Sequence, residues 1–373
     1  MAMGAKEKPM FRQYTGVAAA GAVIGLVAVC LGIFGNPGNM AFCVACFIRD
    51  TAGALGLHRA EAALYARPEI IGIVLGSLLI SLAKKEYASK GGSSPFIRFI
   101  LGICVMVGAL VFLGCPLRMV LRIAGGDLNA AIGLAGFAAG ILTGVLFLKK
   151  GFTLKQPHDQ PAIEGLGLPF INALILAALV AAPALLLFSE TGPGSMRAPL
   201  LMSLAGGLVV GIAAQRSRLC FVGGIRDAAL FRDFKMLTPF AAIFVTVLIG
   251  NLITGKFNLG MEGQPTAHTE WLWNILGLYL VGVGSVLLGG CPLRQLVMAG
   301  GGNSDAGVTV LGFLVGAAIC HNFGLASSAA GTTRNGRVAF VICAAIVFGI
   351  AIANTVKAKA KRPATAAARQ ASV

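Results

Sequence analysis

The sequence predicts an all-α, polytopic membrane protein with about ten transmembrane helices, short re-entrant half-helices and an inverted internal repeat. Three observations predict it. The chain has 373 residues, of which 57% are hydrophobic and only 12% charged, with 51 glycines. Its mean hydropathy is +0.85, whereas a soluble domain carries about a quarter of its residues as charges. Uncharged runs long enough to cross a bilayer, roughly 20 helical residues, follow one another in series. Finally, several short motifs recur at one register.

The runs cover 16–35, 99–117, 128–148, 165–189, 198–215, 236–255, 271–293, 306–331 and 338–356. A shorter one, 70–83, gains length from 61–66 across Pro68. Their glycine and alanine content suits close helix packing. Lys6, Lys8 and Arg12 precede the first run, but its apolar stretch is too long for a signal core and no small-x-small site follows. It reads as the first span.

Orientation follows from the basic loops. The N-terminus, 84–98, 149–155, 216–235 and the tail 357–373 are rich in lysine and arginine, whereas 189–197 and 255–270 carry few positive charges. This alternation predicts an inner-membrane protein with both termini in the cytoplasm. It also accounts for most of the net charge of +16, so nucleic acid is not a predicted partner; the lipid bilayer is.

"CVACFIRD" at 43–50 resembles "CFVGGIRD" at 220–227, an offset of 177 residues. "GCPLR" occurs at 114–118 and again at 290–294, and "GFAAG" at 136–140 faces "GFLVG" at 312–316, both offset by 176. One integral membrane domain therefore contains two copies, about 12–160 and 195–335. Cys43 follows the first span and Cys220 the sixth; Cys115 follows the third and Cys291 the eighth. An odd number of crossings separates the copies, so they run antiparallel. Inverted repeats of this kind place a shared site at the midplane, built from broken helices.

Each GCPLR sits where a long span ends. Pro116 and Pro292 cannot continue that helix but suit the first position of a new one. The glycines at 125–126 and 300–302 suit its stop. About nine residues, or about 13 Å of helix, lie between. That is too short to cross, and such backbone is tolerated at depth only where protein covers it or it lines a wet cavity. Cys115 and Cys291 then cap half-helices whose positive ends favour an anion, and Arg118 and Arg294 add full charges. Cys43 and Cys220 precede short amphipathic stretches ending in Arg49–Asp50 and Arg226–Asp227, which read as structural or gating pairs. Four motif cysteines converge on one path in this reading. Cys30, Cys104, Cys320 and Cys343 lie mid-span without a motif and read as core packing. Cys46 forms a C-x-x-C with Cys43, but its counterpart in the second copy is Gly223, so a redox pair stays an alternative and no metal site is predicted. His321, inside a span, is an intramembrane ionisable group whose counterpart is Val145.

The two GCPLR motifs, the paired C-x5-R-D motifs and the glycine-rich stops resemble the YeeE/YedE family of bacterial inner-membrane transporters. Within that family, "GNPGNMAFCVACFIRD" is most similar to the YedE branch linked to selenium metabolism. The resemblance covers nearly the whole chain. It implies a permease for a small inorganic anion, thiosulfate or a selenium species, passed along a cysteine-lined path. Its substrate-contacting cysteines fall on Cys43, Cys115 and Cys291, with Cys220 the fourth by symmetry. A cytoplasmic sulfur- or selenium-carrier protein is a possible partner. No P-loop, dinucleotide fingerprint or haem-attachment motif is present, so no cofactor and no enzymatic activity are predicted. The rival reading is a membrane thiol-redox or sulfur-relay protein using Cys43 and Cys46.

Overall fold

The structure, a computed structural model, describes residues 10–370, with side chains from 14 to 356. Lys6 and Lys8, and the side chains of Arg12 and of the basic tail 357–373, lie outside the described residues. The first half contains α1 (Met10–Ile33), α2 (Val44–Ala54), α3 (Pro68–Ala83), α4 (Pro95–Phe112), α5 (Pro116–Ala124) and α6 (Leu128–Lys149). A single turn, α7 (Ala162–Gly165), leads into α8 (Gly167–Ala181), and another, α9 (Gly192–Ser195), precedes the second half. That half runs through α10 (Leu200–Ser217), α11 (Phe221–Phe231), α12 (Thr238–Ile253), α13 (Trp271–Leu288), α14 (Pro292–Gly300), α15 (Ser304–Asn322) and α16 (Arg334–Gln370).

Eight helical stretches among the described residues are long and apolar enough to cross a membrane, and α8 and α12 are shorter apolar helices. The expected all-α, polytopic architecture is therefore present. At 15 and 16 residues, α8 and α12 reach only about 22–24 Å.

Several boundaries differ from the runs read in the sequence, each for a local reason. The stretch 61–66 does lengthen the span that holds α3, but not as continuous helix: a 3-10 turn at Glu61–Ala63 is followed by a break, and α3 starts at Pro68. Arg67 is extended, because a residue before proline is pushed out of the helical region. The run 165–189 stops at Ala181, ahead of a turn opened by Pro183, and the run 306–331 stops at Asn322. The one strand pair among the described residues, Lys90–Gly91 antiparallel to His158–Asp159, was not anticipated.

Each long helix of the first half finds its main partner in the second. Helix α1 packs along α12 and α3 along α10; α4 packs along α15 and α6 along α13. The pairing is reciprocal, since α10 and α12 occupy the sequence places of α1 and α3. The short helices follow suit, α5 against α12 and α14 against α3. Glycines let these backbones meet: a Cβ on Gly76 would run into the Leu208 backbone, and one on Gly140 into that of Tyr279.

The loops sort to two ends. At one, the β-pair joins 90–91 to 158–159, Tyr87 donates to the Ala162 carbonyl at 2.8 Å, and Arg216 lies 3.9 Å from Glu86. At the other, Lys256 donates to the Gly32 carbonyl at 2.8 Å, Asn322 to that of Leu57 at 2.9 Å, and Ala198 N–H to Asn36 at 2.8 Å. The basic loops 84–98, 149–155 and 216–235 thus belong to one end and 255–270 to the opposite one.

Candidate functional site

All four motif cysteines stand at the N-cap of a short helix: Cys43 before α2, Cys115 before α5, Cys220 before α11 and Cys291 before α14. The sulfur of Cys43 accepts from the Cys46 N–H at 3.5 Å and that of Cys220 from the Gly223 N–H at 3.3 Å. Pro116 and Pro292 take the first helical position, where a missing N–H costs nothing. The preceding long helices end on left-handed residues, Leu113 at φ 62° and Gly289 at φ 83°. That conformation suits a helix C-terminus, and glycine adopts it without strain.

The cysteines meet in pairs. The Cys43 and Cys115 sulfurs lie 3.8 Å apart, and Cys46 contacts Cys43 from the following turn. Cys220 and Cys291 face each other in the same way. All five are buried.

Around the first cluster the arginines are held by carbonyls and carboxylates, although Nη2 of Arg122 has no hydrogen-bond partner among the described residues. Arg118 is fully buried. It donates to the carbonyls of Asn39 (3.3 Å), Leu113, Pro265 (3.3 Å) and Thr266 (3.2 Å), and to the Cys46 sulfur at 3.5 Å. Carbonyls satisfy its donors but supply no opposite charge. Loop 254–270 of the second half is thereby drawn over the cysteines of the first. One turn on, Arg122 pairs with Asp127 at 2.6 Å. Asp50 bridges Arg49 (2.7 Å) and Arg67 (2.7 Å). Arg67 also donates to the Pro193 and Met196 carbonyls and lies over the Phe47 ring at 4.2 Å.

The second cluster is open. A cavity of about 310 Å³ is lined by Cys220, Arg218, Arg226, Arg294, Met236 and Met298, among others. Nη1 of Arg294 is buried and has no hydrogen-bond partner among the described residues. Arg226 pairs with Asp227 at 2.8 Å, but its side chain is 37% exposed. A separate cavity of about 300 Å³, containing Asn39, Met40, Leu121, Lys256 and Pro265, lies at the opposite end, next to the covered cluster.

The structure therefore brings Cys43, Cys46, Cys115 and Arg118 together, and Cys220, Cys291, Arg226 and Arg294 together. The Arg-Asp pairs close within each motif rather than across the two halves. His321 is not with the cysteines; it stacks on His58 at 4.5 Å, near the carbonyl of Arg49 that His58 contacts at 3.0 Å. Cys104 and Cys343 face each other within the helix packing, and burial alone does not separate them from the motif cysteines. N-cap position does. Sequence reasoning missed Asn39, Arg67, Arg218, Met236, Pro265, Thr266 and Met298. Most of their contacts come from backbone oxygens or from loops without a motif.

Comparison with known proteins places these residues in context. Residues 216–370 match a family model described as "Sulphur transport", a stretch containing Cys220, Arg226, Asp227, Cys291 and Arg294. The chain is 29% identical over 126 residues to the thiosulfate transporter TsuA of Escherichia coli (strain K12), covering 33% of this chain and 34% of that protein. It is 32% identical over 114 residues to the thiosulfate transporter TsuA of Spirochaeta thermophila, covering 30% and 33%. The aligned parts span about a third of the length of these curated relatives.

Proposed function

We propose that this chain, of which residues 216–370 match the sulphur-transport family model and whose motifs resemble the YeeE/YedE family, carries a small sulfur-containing anion across the bacterial inner membrane, past two pairs of cysteines. Thiosulfate, the substrate in the relatives' names, is the first candidate. A selenium oxyanion or hydroselenide presents the same combination of negative charge and soft chalcogen. The reading rests on one observation: four cysteines cap four short helices and meet pairwise beside an arginine. Helix N-termini supply partial positive charge and free N–H groups, and thiols are weak donors that suit a soft acceptor.

The two copies are related, in this proposal, by an axis in the membrane plane, which the reciprocal helix pairing supports. The basic loops face the cytoplasm and both termini lie there. The anion is held at the Arg294 cavity on the cytoplasmic side, and the Cys43–Cys115 cluster forms the second station. A cytoplasmic carrier protein would meet the cavity-bearing end. Arg49–Asp50 and Arg226–Asp227 hold the short helices in place.

Uptake by vesicles reconstituted with the purified protein tests the proposal. Thiosulfate, selenite and selenide are offered singly and in competition. Accumulation that requires the protein and is lost in Cys291→Ala supports it; no accumulation of any of the three counts against it. Thiol-disulfide exchange without uptake would instead favour a redox role for Cys43 and Cys46, whose sulfurs are in contact.

A further inference from the structure

The two clusters differ in their third sulfur. In the first it is Cys46. In the second the equivalent position is Gly223, and the space above it is taken by Met236: a Cβ built on Gly223 would lie 3.4 Å from the Met236 sulfur and 3.5 Å from the Cys220 Cβ. A second exchange accompanies this one. Position 122 carries an arginine paired with Asp127 at 2.6 Å. Its counterpart 176 residues on is Met298, followed at the Asp127 position by Asn303. An ion pair has been replaced by a thioether that lines the cavity. Two methionines, Cys220 and Arg294, whose buried Nη1 has no hydrogen-bond partner among the described residues, therefore line one cavity.

We propose that Met236 and Met298 are specificity-determining residues that admit an anion with a soft, weakly hydrated chalcogen atom and reject sulfate. This deepens the anion-transport reading and rests on it. Thiosulfate and sulfate share charge and tetrahedral shape, and differ by one sulfur in place of one oxygen. Arg294 attracts both equally. A sulfate oxygen turned toward a thioether gives up water hydrogen bonds and gains none, a buried polar group left unpaired. A terminal sulfur holds water weakly, and its polarisable surface meets another polarisable sulfur. Discrimination thus comes from the half of the site that cannot hydrogen-bond.

Protection of Cys220 from a small maleimide, read by mass spectrometry of its peptide in the detergent-solubilised full-length protein, tests this without requiring transport. Thiosulfate and sulfate are titrated against the wild type, Met236→Leu, Met298→Leu and the double variant. Leucine keeps the volume and removes the sulfur. The expected result is that thiosulfate protects the wild type at much lower concentration than sulfate, and that this ratio falls by about tenfold in the double variant, the scale of a lost pocket contact. Equal protection of the wild type by both anions would overturn the proposal, as would an unchanged ratio in the variants. Should the double variant not fold, the same ratio in each single variant decides. A wild type that shows the expected ratio but takes up no thiosulfate in vesicles would refute the transport reading and leave this assignment standing.

Discussion

The motifs at 43–50 and 220–227 begin and end with the same residues, yet their charges live in different surroundings. Asp50 is fully buried between Arg49 and Arg67, which carries two further hydrogen bonds to carbonyls. Asp227 pairs with Arg226, which lines an open cavity. The arginines of the two GCPLR motifs diverge in the same direction. Arg118 is wrapped by four carbonyls and a thiol, whereas Arg294 lines the cavity and keeps a buried nitrogen with no partner among the described residues. The two motifs carry the same kinds of residue, but neighbours outside them cover one cluster with carbonyls and leave the other lining a cavity.

The largest expected effect tests that contrast at the aspartates. Asp50→Asn strands two buried guanidinium groups and should destabilise the fold by about 3–5 kcal/mol. Asp227→Asn removes a partly exposed pair worth at most about 1 kcal/mol. Thermal unfolding in detergent measures both. Similar losses would mean that the two motifs are energetically alike, contrary to their surroundings.

Next come the arginines. Arg294→Gln should leave unfolding unchanged and raise the half-saturating anion concentration about tenfold, the weight of a lost charged hydrogen bond. The effect should shrink as salt rises, because charge screening reaches about 10 Å at 0.1 M. Arg118→Gln should act mainly on stability, since it unties the 254–270 loop. An Arg118 variant with normal stability and only weakened binding would reverse these roles.

Accessibility gives a third comparison. Maleimide applied to the intact protein should modify Cys220 readily and Cys43, Cys46 and Cys115 slowly, because Cys220 lines a cavity of about 310 Å³, whereas the cavity beside the first cluster is lined by Asn39, Met40 and Leu121 and by none of its cysteines. Equal rates would remove the distinction between the two clusters.

The smallest effect concerns the far end of the loop that covers Arg118. Burial pulls the Glu270 carboxyl up, but the Thr332 hydroxyl and Arg337, 3.1 Å away, outweigh it and hold the group below its ordinary value. A depressed carboxyl contributes stability that is present above its unfolded-state pKa and lost as pH falls through the folded one. Glu270→Gln should therefore cost less than about 1 kcal/mol at neutral pH. It should also flatten the acid side of the stability profile.

What could be read from residues alone follows from what is local. Helix starts at Pro116 and Pro292, stops at the glycines after them and the N-cap cysteines depend on neighbours a few residues away. They came out where the motif put them. Across Pro68 the apolar span continues as hydropathy suggests, while the helix breaks there because the residue before a proline is pushed out of the helical region. The asymmetry of the site was not legible, because it is made by distant partners. Arg118 is closed by the carbonyls of Pro265 and Thr266, and no side-chain pattern advertises a carbonyl. Met236 and Met298 looked like ordinary apolar residues until the fold set them beside Cys220.

The central claim is that the four N-cap cysteines contact the passing anion, and uptake by reconstituted vesicles tests it most directly. Cys43→Ala, Cys115→Ala, Cys220→Ala and Cys291→Ala are compared with Cys30→Ala and Cys343→Ala, all checked for folded protein in the membrane. The account predicts that each of the first four abolishes or sharply reduces thiosulfate uptake while the last two transport normally. Wild-type rates in all four motif variants would contradict it, leaving the cysteines as small residues that fill the starts of four short helices.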